Sequence, residues 1–312
     1  MGKIAFVFPG QGSQAIGMGK AFFESYEQAK NIYQQADTAL AFDLSGLIFE
    51  GNQEELTLTY NAQPALLTTS TAMLRVFEES GISADYVAGH SLGEYSALVA
   101  ANAMTFEDAV VAVRKRGQFM DEAVPAGKGT MAAVLGMEAS LLEEVTNEVT
   151  AEGHPVQLAN INCPGQIVIS GTVEGVEKAS ALAKEKGAKR AIPLVVSGPF
   201  HSSLMKPAAE KLNDTLQTLQ LKDASIPVVS NVVAQPITSK EEIQQKLVEQ
   251  LYSPVRWHES VETLIENGVD TFIEIGPGKV LAGLVKKVNR SVTIHSVYDL
   301  ESMETTIKAI KG

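Results

Sequence analysis

Short apolar runs alternate along the chain with longer stretches in which apolar residues recur at helical spacing. One such stretch, Phe106–Val124, predicts a helix. Pro64 predicts another helix that begins near Gln63, because proline is tolerated in a first helical turn. Strands that alternate with helices are typical of an α/β protein with a largely parallel sheet. Five apolar runs predict the strands of this sheet: Lys3–Phe8, Asp85–Ala88, Pro227–Val232, Thr271–Ile275 and Val292–Val297.

The middle of the chain has a different order of elements. It predicts a strand, a helix, two strands, a helix and a strand, in the order Met131–Gly136, Ser140–Thr150, Val156–Ile161, Gln166–Ser170, Val173–Lys186 and Arg190–Val196. This β-α-β-β-α-β order is ferredoxin-like. Glycine and proline mark both ends of the segment, at Pro125–Gly129 and Ser197–Pro199. We therefore predict a large α/β domain, residues 1–127 and 198–312, into which a small ferredoxin-like subdomain, residues 128–197, is inserted.

Composition and charge narrow the class of protein. Hydrophobic residues make up 45% of the 312 positions, which is ordinary for a globular protein that buries a core without disulfides. The only cysteine, Cys163, excludes an internal disulfide and indicates a reducing compartment. The net charge of −12 argues against binding to nucleic acid or to an anionic membrane surface. No apolar run is long enough for a signal peptide or a membrane span, so we predict a cytoplasmic protein.

The strongest local motif is Gly89-His-Ser-Leu-Gly93, which follows a predicted strand and precedes a predicted helix. A G-x-S-x-G sequence in this context is typical of a nucleophile elbow, in which the glycines allow a tight turn that exposes the serine oxygen. The start of the following helix offers N–H groups and a positive dipole to a developing oxyanion. The alternative is a plain glycine-rich turn. The strand–turn–helix context favours Ser91 as a nucleophile.

A serine nucleophile needs a base. His201 is the best candidate, because it follows the apolar run Ile192–Val196 at a strand end, where the sites of α/β proteins gather. Spacing alone also allows a structural role for every histidine in the chain. The five histidines are His90, His154, His201, His258 and His295.

The glycine-rich loop Pro9–Ala15 also fits a loose dinucleotide-binding fingerprint. That fingerprint needs a second strand next, whereas Phe22–Leu40 predicts a helix. A loop that offers backbone N–H groups to an anion is the better interpretation. No metal-ligand spacing such as H-E-x-x-H or C-x-x-C occurs, so the sequence predicts no metal site.

Seven motifs in a specific order then carry a resemblance. They are Phe8-Pro-Gly-Gln-Gly-Ser-Gln14, Gln63-Pro-Ala-Leu66, Gly89-His-Ser-Leu-Gly-Glu-Tyr95, Arg114-Lys-Arg-Gly-Gln118, Asn162-Cys-Pro-Gly-Gln166, Gly198-Pro-Phe-His201 and Glu274-Ile-Gly-Pro-Gly278. Each motif is weak alone, but their joint order and spacing are very specific. The chain resembles, over essentially its whole length, the malonyl-CoA:acyl carrier protein transacylases of bacterial fatty-acid synthesis.

The resemblance implies an α/β-hydrolase-like large domain with an inserted ferredoxin-like subdomain, and a two-step acyl transfer. Ser91 would take the malonyl group from malonyl-CoA, and the phosphopantetheine thiol of acyl carrier protein would then remove it, with His201 moving the proton in both steps. The backbone N–H groups of Gln11 and Leu92 would hold the oxyanion. The backbone carbonyl of Gln250, rather than an aspartate, would orient the histidine. No bound metal or organic cofactor is implied.

The resemblance also assigns the free carboxylate of the malonyl group to Arg116, since a guanidinium can donate two charge-assisted hydrogen bonds to a carboxylate. Periodicity alone cannot choose between Arg116 and Arg114, which flank the apolar stripe of the same predicted helix. Phe200 matches the pattern of malonyl-using acyltransferases, although Pro199 stands where those proteins often have alanine.

Gln63 and Asn162 lie in family motifs near the site, where they would order either the acyl group or the loops. The implied partner is acyl carrier protein, and we expect the enzyme to be a monomer. Acyl carrier proteins are acidic, so an acidic enzyme needs a local basic surface. Solvated helix faces are the alternative interpretation of such clusters. Two clusters are candidates: Lys184, Lys186, Lys189 and Arg190, or Lys286, Lys287 and Arg290.

Three competing functions stay open from the sequence. The first is an acyltransferase for a methylmalonyl or acetyl unit of a polyketide pathway, against which Arg116 and Phe200 argue. The second is a serine hydrolase, which shares the nucleophile elbow. The third is a non-catalytic subunit that binds the carrier protein, against which the combination of Ser91 and His201 argues.

Overall fold

The computed structural model describes residues 2–125 and 127–312, and within them the chain forms ten strands and fourteen α-helices. The strands are β1 (Lys3–Phe8), β2 (Tyr86–Gly89), β3 (Gly129–Leu135), β4 (Val156–Cys163), β5 (Gln166–Thr172), β6 (Arg190–Pro193), β7 (Val228–Val229), β8 (Pro236–Ile237), β9 (Val269–Ile275) and β10 (Thr293–Val297). The helices are α1 (Lys20–Ser25), α2 (Glu27–Leu40), α3 (Leu44–Glu50), α4 (Gln53–Thr57), α5 (Thr59–Glu78), α6 (Gly93–Ala100), α7 (Phe106–Ala123), α8 (Ala139–Ala151), α9 (Val173–Glu185), α10 (Lys206–Gln217), α11 (Lys240–Gln250), α12 (Trp257–Glu266), α13 (Val280–Val288) and α14 (Leu300–Lys311). A single 3-10 turn, Ser203–Met205, precedes α10. None of the helices in the described ranges is long and apolar enough to cross a membrane.

The larger sheet has the strand order β10-β9-β1-β2-β7-β8, and every pairing in it is parallel except that of β7 with β8. Its central strand β1 is buried from Ala5 to Phe8, as expected for a strand covered by helices on both faces. Phe8 lies opposite Gly89 in the register. The loops that follow β1 and β2 therefore emerge side by side at one edge of the sheet.

The smaller sheet has the order β4-β5-β3-β6 and is antiparallel throughout. Ala132 and Val134 of β3 pack on one face into an apolar cluster with residues of α8 and α9. Met131 of β3 faces the other way and belongs to the core of the larger sheet. The predicted α/β architecture with a ferredoxin-like order of elements is thus confirmed. The domain boundaries at 127/128 and 197/198 stay a prediction.

Two predicted strands are three or more residues shorter in the structure, and one strand of the larger sheet was not predicted. The strand predicted to run to Val232 pairs only at Val228 and Val229, because the chain then turns back: the Ala234 N–H donates to the Ser230 carbonyl at 2.8 Å. The short return strand β8 carries no sequence pattern of its own and was not predicted. The strand predicted to run to Val196 ends at Pro193, beyond which the chain crosses to the larger sheet.

Pro64 lies inside α5 rather than in a first turn, so the predicted helix start near Gln63 is wrong. A proline in a helix interior has no N–H for the carbonyl four residues earlier, here that of Tyr60. The Arg114 guanidinium donates to that carbonyl at 3.0 Å and thereby replaces the lost helical hydrogen bond. Tertiary packing against α7 is what makes the longer helix possible.

Candidate active site

Ser91 lies in the turn between β2 and α6 with a φ of 51°, in the left-handed region. Neighbouring backbone atoms leave no room for a side chain at the two flanking glycines, Gly89 and Gly93. A Cβ on Gly89 would overlap the Gly93 backbone, and a Cβ on Gly93 would overlap the Phe8 carbonyl of the neighbouring strand. Only glycine at both positions allows the strand, the turn and the helix to approach so closely. The G-x-S-x-G prediction of a tight strand–turn–helix elbow is therefore confirmed in its geometry.

The Ser91 hydroxyl lies 2.7 Å from Nε2 of His201. On the other side of the ring, Nδ1 lies 2.8 Å from the backbone carbonyl of Gln250. A carbonyl can only accept, so Nδ1 carries the proton and Nε2 presents a lone pair to the serine. Burial, and then the positive charge of Arg116, lower the pKa of His201 to about 3. The imidazole is consequently neutral at neutral pH, the form that a general base requires.

The other four histidines are not placed to serve Ser91 in this way. His90 lines the same pocket, but its Nε2 lies 2.8 Å from Oδ1 of Asn162. His154 and His258 lie within 3.3 Å and 3.2 Å of carboxylates of Glu174 and Glu262 respectively. His295 lies in β10, at the edge of the larger sheet.

Arg116 is 1% exposed and points into the site from α7. Its Nη1 donates to Oε1 of Gln63 at 2.8 Å, and its Nη2 donates to the Ser91 hydroxyl at 3.2 Å and to Oε1 of Gln250 at 2.9 Å. Arg114 lies on the other side of the helix, bonded to Tyr60 and packed on the ring of Phe42 at 4.6 Å. Of the two arginines that periodicity could not separate, Arg116 is therefore the one that lies in the pocket beside Ser91.

The backbone N–H groups of Gln11 and Leu92 are available to a ligand. Within the described part of the chain, neither group donates to a protein acceptor. Leu92 immediately precedes the first residue of α6, where unpaired N–H groups and the helix dipole favour negative charge. Gln11 reaches the same pocket from the loop after β1, which is adjacent to β2.

These groups share a pocket of about 340 Å³. Ser91, His201, Arg116, Gln11 and Leu92 all line it. Its apolar wall, which includes the predicted Phe200, comes from α7, from β3 of the smaller sheet and from the crossover after β6: Met120, Met131, Leu194, Val195, Val196 and Phe200. Gln63, Gln250 and Asn162 are buried behind this lining, the first two against Arg116 and the third against His90. All nine predicted site residues therefore lie in or directly behind one cavity.

The chain is similar to known proteins over nearly its whole length. Residues 5–308 match the family model described as Acyl transferase domain. The chain belongs to the acyl transferase domain family. It is 66% identical over 311 residues to the malonyl CoA-acyl carrier protein transacylase of Bacillus subtilis (strain 168), covering 100% of this chain and 98% of that relative. The resemblance stated from the seven motifs is thus confirmed.

Two solved structures are similar to this acyl transferase over nearly the whole chain. An acyl carrier protein S-malonyltransferase from Vibrio cholerae O1 biovar eltor str. N16961 is 45% identical with a TM-score of 0.95, covering 97% of this chain and 99% of that chain. A malonyl-transacylase in complex with a type II PKS acyl-carrier protein is 44% identical with a TM-score of 0.95, covering 98% and 99%. At this identity the likeness extends beyond the fold to the family.

Sequence reasoning missed three residues of the acyl transferase site. Asn160 lines the pocket from β4, while Asn231 and Glu94 are buried beneath Ser91. Asn231 follows the short strand β7, and no local pattern could have marked it, because its partners Ser91 and Glu94 are more than 130 residues away in sequence. Glu94 did carry a signal: it belongs to the motif Gly89–Tyr95 and lies one helical turn after the nucleophile.

The two basic clusters are partly engaged in other contacts. Lys186 pairs with Glu148 at 2.6 Å, and Lys287 donates to Oε1 of Gln166 at 2.8 Å. Their role toward a carrier protein stays a prediction. In the described ranges, no group of three or more histidine, cysteine, aspartate or glutamate side chains is placed to hold a metal ion.

Proposed function

We propose that the protein transfers a malonyl group from malonyl-CoA to the phosphopantetheine thiol of acyl carrier protein through a covalent malonyl-Ser91. One observation carries the proposal: the Ser91 hydroxyl lies 2.7 Å from a neutral histidine and 3.2 Å from a buried guanidinium in the same pocket. In this proposal, Ser91 is the nucleophile, His201 its base and Arg116 the cation for a free carboxylate, and the two distances support that assignment. The names of the similar proteins in Bacillus subtilis and Vibrio cholerae support the same substrate and acceptor.

In the first half of the reaction, Nε2 of His201 accepts the Ser91 proton while Oγ forms a bond to the thioester carbonyl carbon. The carbonyl oxygen takes up the electron pair, and the N–H groups of Gln11 and Leu92 donate to it. When the carbonyl re-forms, the carbon–sulfur bond breaks and the CoA sulfur leaves with the proton held by His201. The products are CoA and malonyl-Ser91.

The second half repeats these steps with another thiol. His201 accepts the proton of the phosphopantetheine thiol, whose sulfur attacks the ester carbonyl of malonyl-Ser91. The Ser91 oxygen then leaves and recovers the proton from His201. The protein ends in its starting state, so the sequence of steps uses only the malonyl-CoA thioester, the phosphopantetheine thiol and the residues of this chain.

Arg116 selects the acyl group in this proposal. Its guanidinium lines the pocket beside the Ser91 hydroxyl, where a malonyl group attached to that oxygen would place its free carboxylate. A forked pair of charge-assisted hydrogen bonds suits a planar carboxylate. An acetyl group has no charge to offer, and it would leave the buried guanidinium without an anionic partner.

The remaining expectations belong to this proposal. The enzyme would act as a cytoplasmic monomer with no bound cofactor, and residues 128–197 would form a separate subdomain that closes one side of the pocket. Met131 and Asn160 support the last point, because they line the pocket from the smaller sheet. A neighbouring structure that contains a carrier protein supports the choice of acceptor.

The test is a comparison of transfer with hydrolysis. The protein is incubated with malonyl-CoA in the presence and absence of holo acyl carrier protein, and malonyl-loaded carrier and free malonate are both quantified. We expect carrier loading to exceed malonate release by a wide margin. Malonate release at the same rate with and without carrier would show a serine hydrolase, and loading by acetyl-CoA or methylmalonyl-CoA but not malonyl-CoA would show the polyketide-type alternative.

A further inference from the structure

Glu94 is a buried carboxylate directly beneath the nucleophile, and the reaction steps above do not use it. It lies one turn after Ser91 on α6 and is 2% exposed. Its Oε2 accepts a hydrogen bond from Nε2 of Gln250 at 2.7 Å and from the backbone N–H of Asn231 at 3.2 Å. Burying a carboxylate is unfavourable unless such donors compensate, so this arrangement requires a reason beyond packing.

Both partners of Glu94 hold the backbone of Ser91. Oδ1 of Asn231 accepts from the Ser91 N–H at 2.7 Å, and Nε2 of Gln250 donates to the Ser91 carbonyl at 3.1 Å. The left-handed conformation of Ser91 is unfavourable for a residue with a Cβ and persists only where its surroundings fix it. The two amide side chains hold the strained residue on both sides, and the Glu94 carboxylate in turn accepts from the Gln250 amide and from the Asn231 backbone N–H.

The same carboxylate determines which way the Gln250 amide points. An ionised Glu94 carboxylate can only accept and Arg116 can only donate, so the amide directs Nε2 to Glu94 and Oε1 to Arg116. In the reverse orientation, the Gln250 oxygen would face a carboxylate and its NH₂ would face a guanidinium. Glu94 therefore orients the Gln250 oxygen that accepts from Arg116, although Glu94 does not itself bond to Arg116. Among the described residues, no ion pair within 4.0 Å joins Glu94 and Arg116.

We propose that Glu94 is a positioning residue for acyl transfer: its carboxylate orients Gln250 and Asn231, which hold the Ser91 backbone and the Arg116 guanidinium in their reactive places. This inference rests on the proposed function and deepens it. Gln250 also accepts from Nδ1 of His201 through its backbone, so the three groups of the proposed chemistry all meet at residues that Glu94 holds.

The first test compares two substitutions of nearly equal shape. Glu94→Gln keeps an oxygen acceptor but removes the charge, whereas Glu94→Met removes the acceptor as well. We expect Glu94→Gln to slow formation of malonyl-Ser91 by about fivefold, because charge-assisted hydrogen bonds are roughly twice as strong as neutral ones. We expect Glu94→Met to slow it by about 100-fold, the effect of a small misplacement of reacting groups. The measurement is the single-turnover rate of CoA release per folded protein.

Glu274 offers a matched control. It is also a buried glutamate, and burial likewise raises its pKa to about 7, but its carboxylate caps α13 by accepting from the N–H groups of Leu281 and Ala282. We expect Glu274→Gln to lower thermal stability and to leave the acylation rate and the KM for malonyl-CoA within about twofold of wild type. A purely structural role for Glu94 would make its variants behave like this control.

The second test uses pH and does not depend on whether Glu94→Met folds. Burial raises the pKa of Glu94 to about 7, while hydrogen bonds from Gln250 and Asn231 and the charge of Arg116 oppose the rise. The other titratable groups facing it keep one charge state across the neutral range: Arg116 stays protonated, burial raises the pKa of Tyr95, and the pKa of His201 is about 3. Below neutral pH, wild type should therefore approach the uncharged Glu94→Gln variant in rate, and above about pH 8 it should exceed that variant by about fivefold.

Two results would overturn the inference. One is a ratio of wild-type to Glu94→Gln rates that stays constant from about pH 6 to about pH 8.5. The other is a Glu94→Met variant, folded by circular dichroism, whose rate and KM equal those of Glu94→Gln. If instead wild type forms no malonyl-Ser91 at all, the proposed function fails, and this outcome is distinct from both.

Discussion

The role of Arg116 in selecting the acyl group gives the most discriminating prediction. Arg116→Ala removes the guanidinium beside the Ser91 hydroxyl and, with it, the bonds to Gln63 and Gln250. Hydrogen bonds to a charged group each contribute about 1.5–3 kcal/mol. Loss of one such hydrogen bond to the malonyl carboxylate in the transition state corresponds to a decrease of about 10- to 150-fold in kcat/KM for malonyl-CoA.

The assay is the ratio of kcat/KM for malonyl-CoA to kcat/KM for acetyl-CoA. General damage to the site lowers both values and leaves the ratio unchanged, whereas loss of a carboxylate partner lowers the ratio. Arg114→Ala is the matched control, because Arg114 lies on the same helix and donates to the Tyr60 carbonyl outside the pocket. We expect this control to lower stability and to keep the wild-type ratio. An Arg116→Ala enzyme with the wild-type ratio would refute the reasoning.

Two further predictions concern the elbow and the buried base. Gly93→Ala should destabilise the protein by about 1–3 kcal/mol, because the added Cβ would overlap the Phe8 carbonyl. The control Gly283→Ala in α13, where the space around the added Cβ is open, should stabilise the protein by about 0.4–1 kcal/mol. Equal changes in the free energy of unfolding, measured with denaturant, would contradict the argument from these contacts. The pKa of His201 is about 3 when folded and near 6.5 when unfolded, so the unfolded chain binds more protons between these values and stability falls as the pH drops from about 6.5 toward 3. The buried carboxyl of Glu94 has a raised pKa and therefore changes stability in the opposite direction over this pH range. Its effect cancels when wild type is compared with His201→Gln, because both proteins keep Glu94. Between pH 7 and pH 5, the unfolding free energy of wild type should fall by about 2 kcal/mol more than that of this variant. Equal losses would mean that the imidazole is not held neutral.

The parts of the site that the sequence predicts are those encoded locally. Gly89, Ser91 and Gly93 belong to one turn. The contacts that require glycine at its two ends are made by α6 and by β1, the helix that follows and the strand that pairs with β2. In residues 131–193, strands, helices and turns follow one another in a β-α-β-β-α-β succession that is marked locally, so the ferredoxin-like order of elements could also be predicted. In such cases the local pattern and the final packing agree.

Other features depend on contacts between distant segments and could not be predicted locally. Arg114 and Arg116 are equivalent by periodicity. Their surroundings differ only through distant segments: Arg114 donates to the Tyr60 carbonyl, which Pro64 leaves without a helical donor, while Arg116 lines the pocket. Asn231 acquires its place because β7 stops after two residues and turns.

The role of His201 could be predicted only in part from the local sequence. Its position after a strand made it the best candidate base, and the resemblance assigned the role, but only the fold shows its ring between Ser91 and the Gln250 carbonyl. The assignment of a backbone carbonyl rather than an aspartate came from the family, since no local pattern marks a main-chain acceptor. Burial without a carboxylate partner is also the physical reason that the pKa of this histidine falls.

The central claim is that the malonyl group passes through Ser91, and intact-protein mass spectrometry after brief exposure to malonyl-CoA tests it most directly. The account predicts one malonyl increment on wild type, located on Ser91 by peptide mapping and removed by holo acyl carrier protein. Ser91→Ala should show no increment, while the control Ser96→Ala, which changes a buried serine of the following helix α6, should be labelled like wild type. A malonyl increment that persists in Ser91→Ala, or a carrier protein that is loaded by that variant at the wild-type rate, would contradict the account.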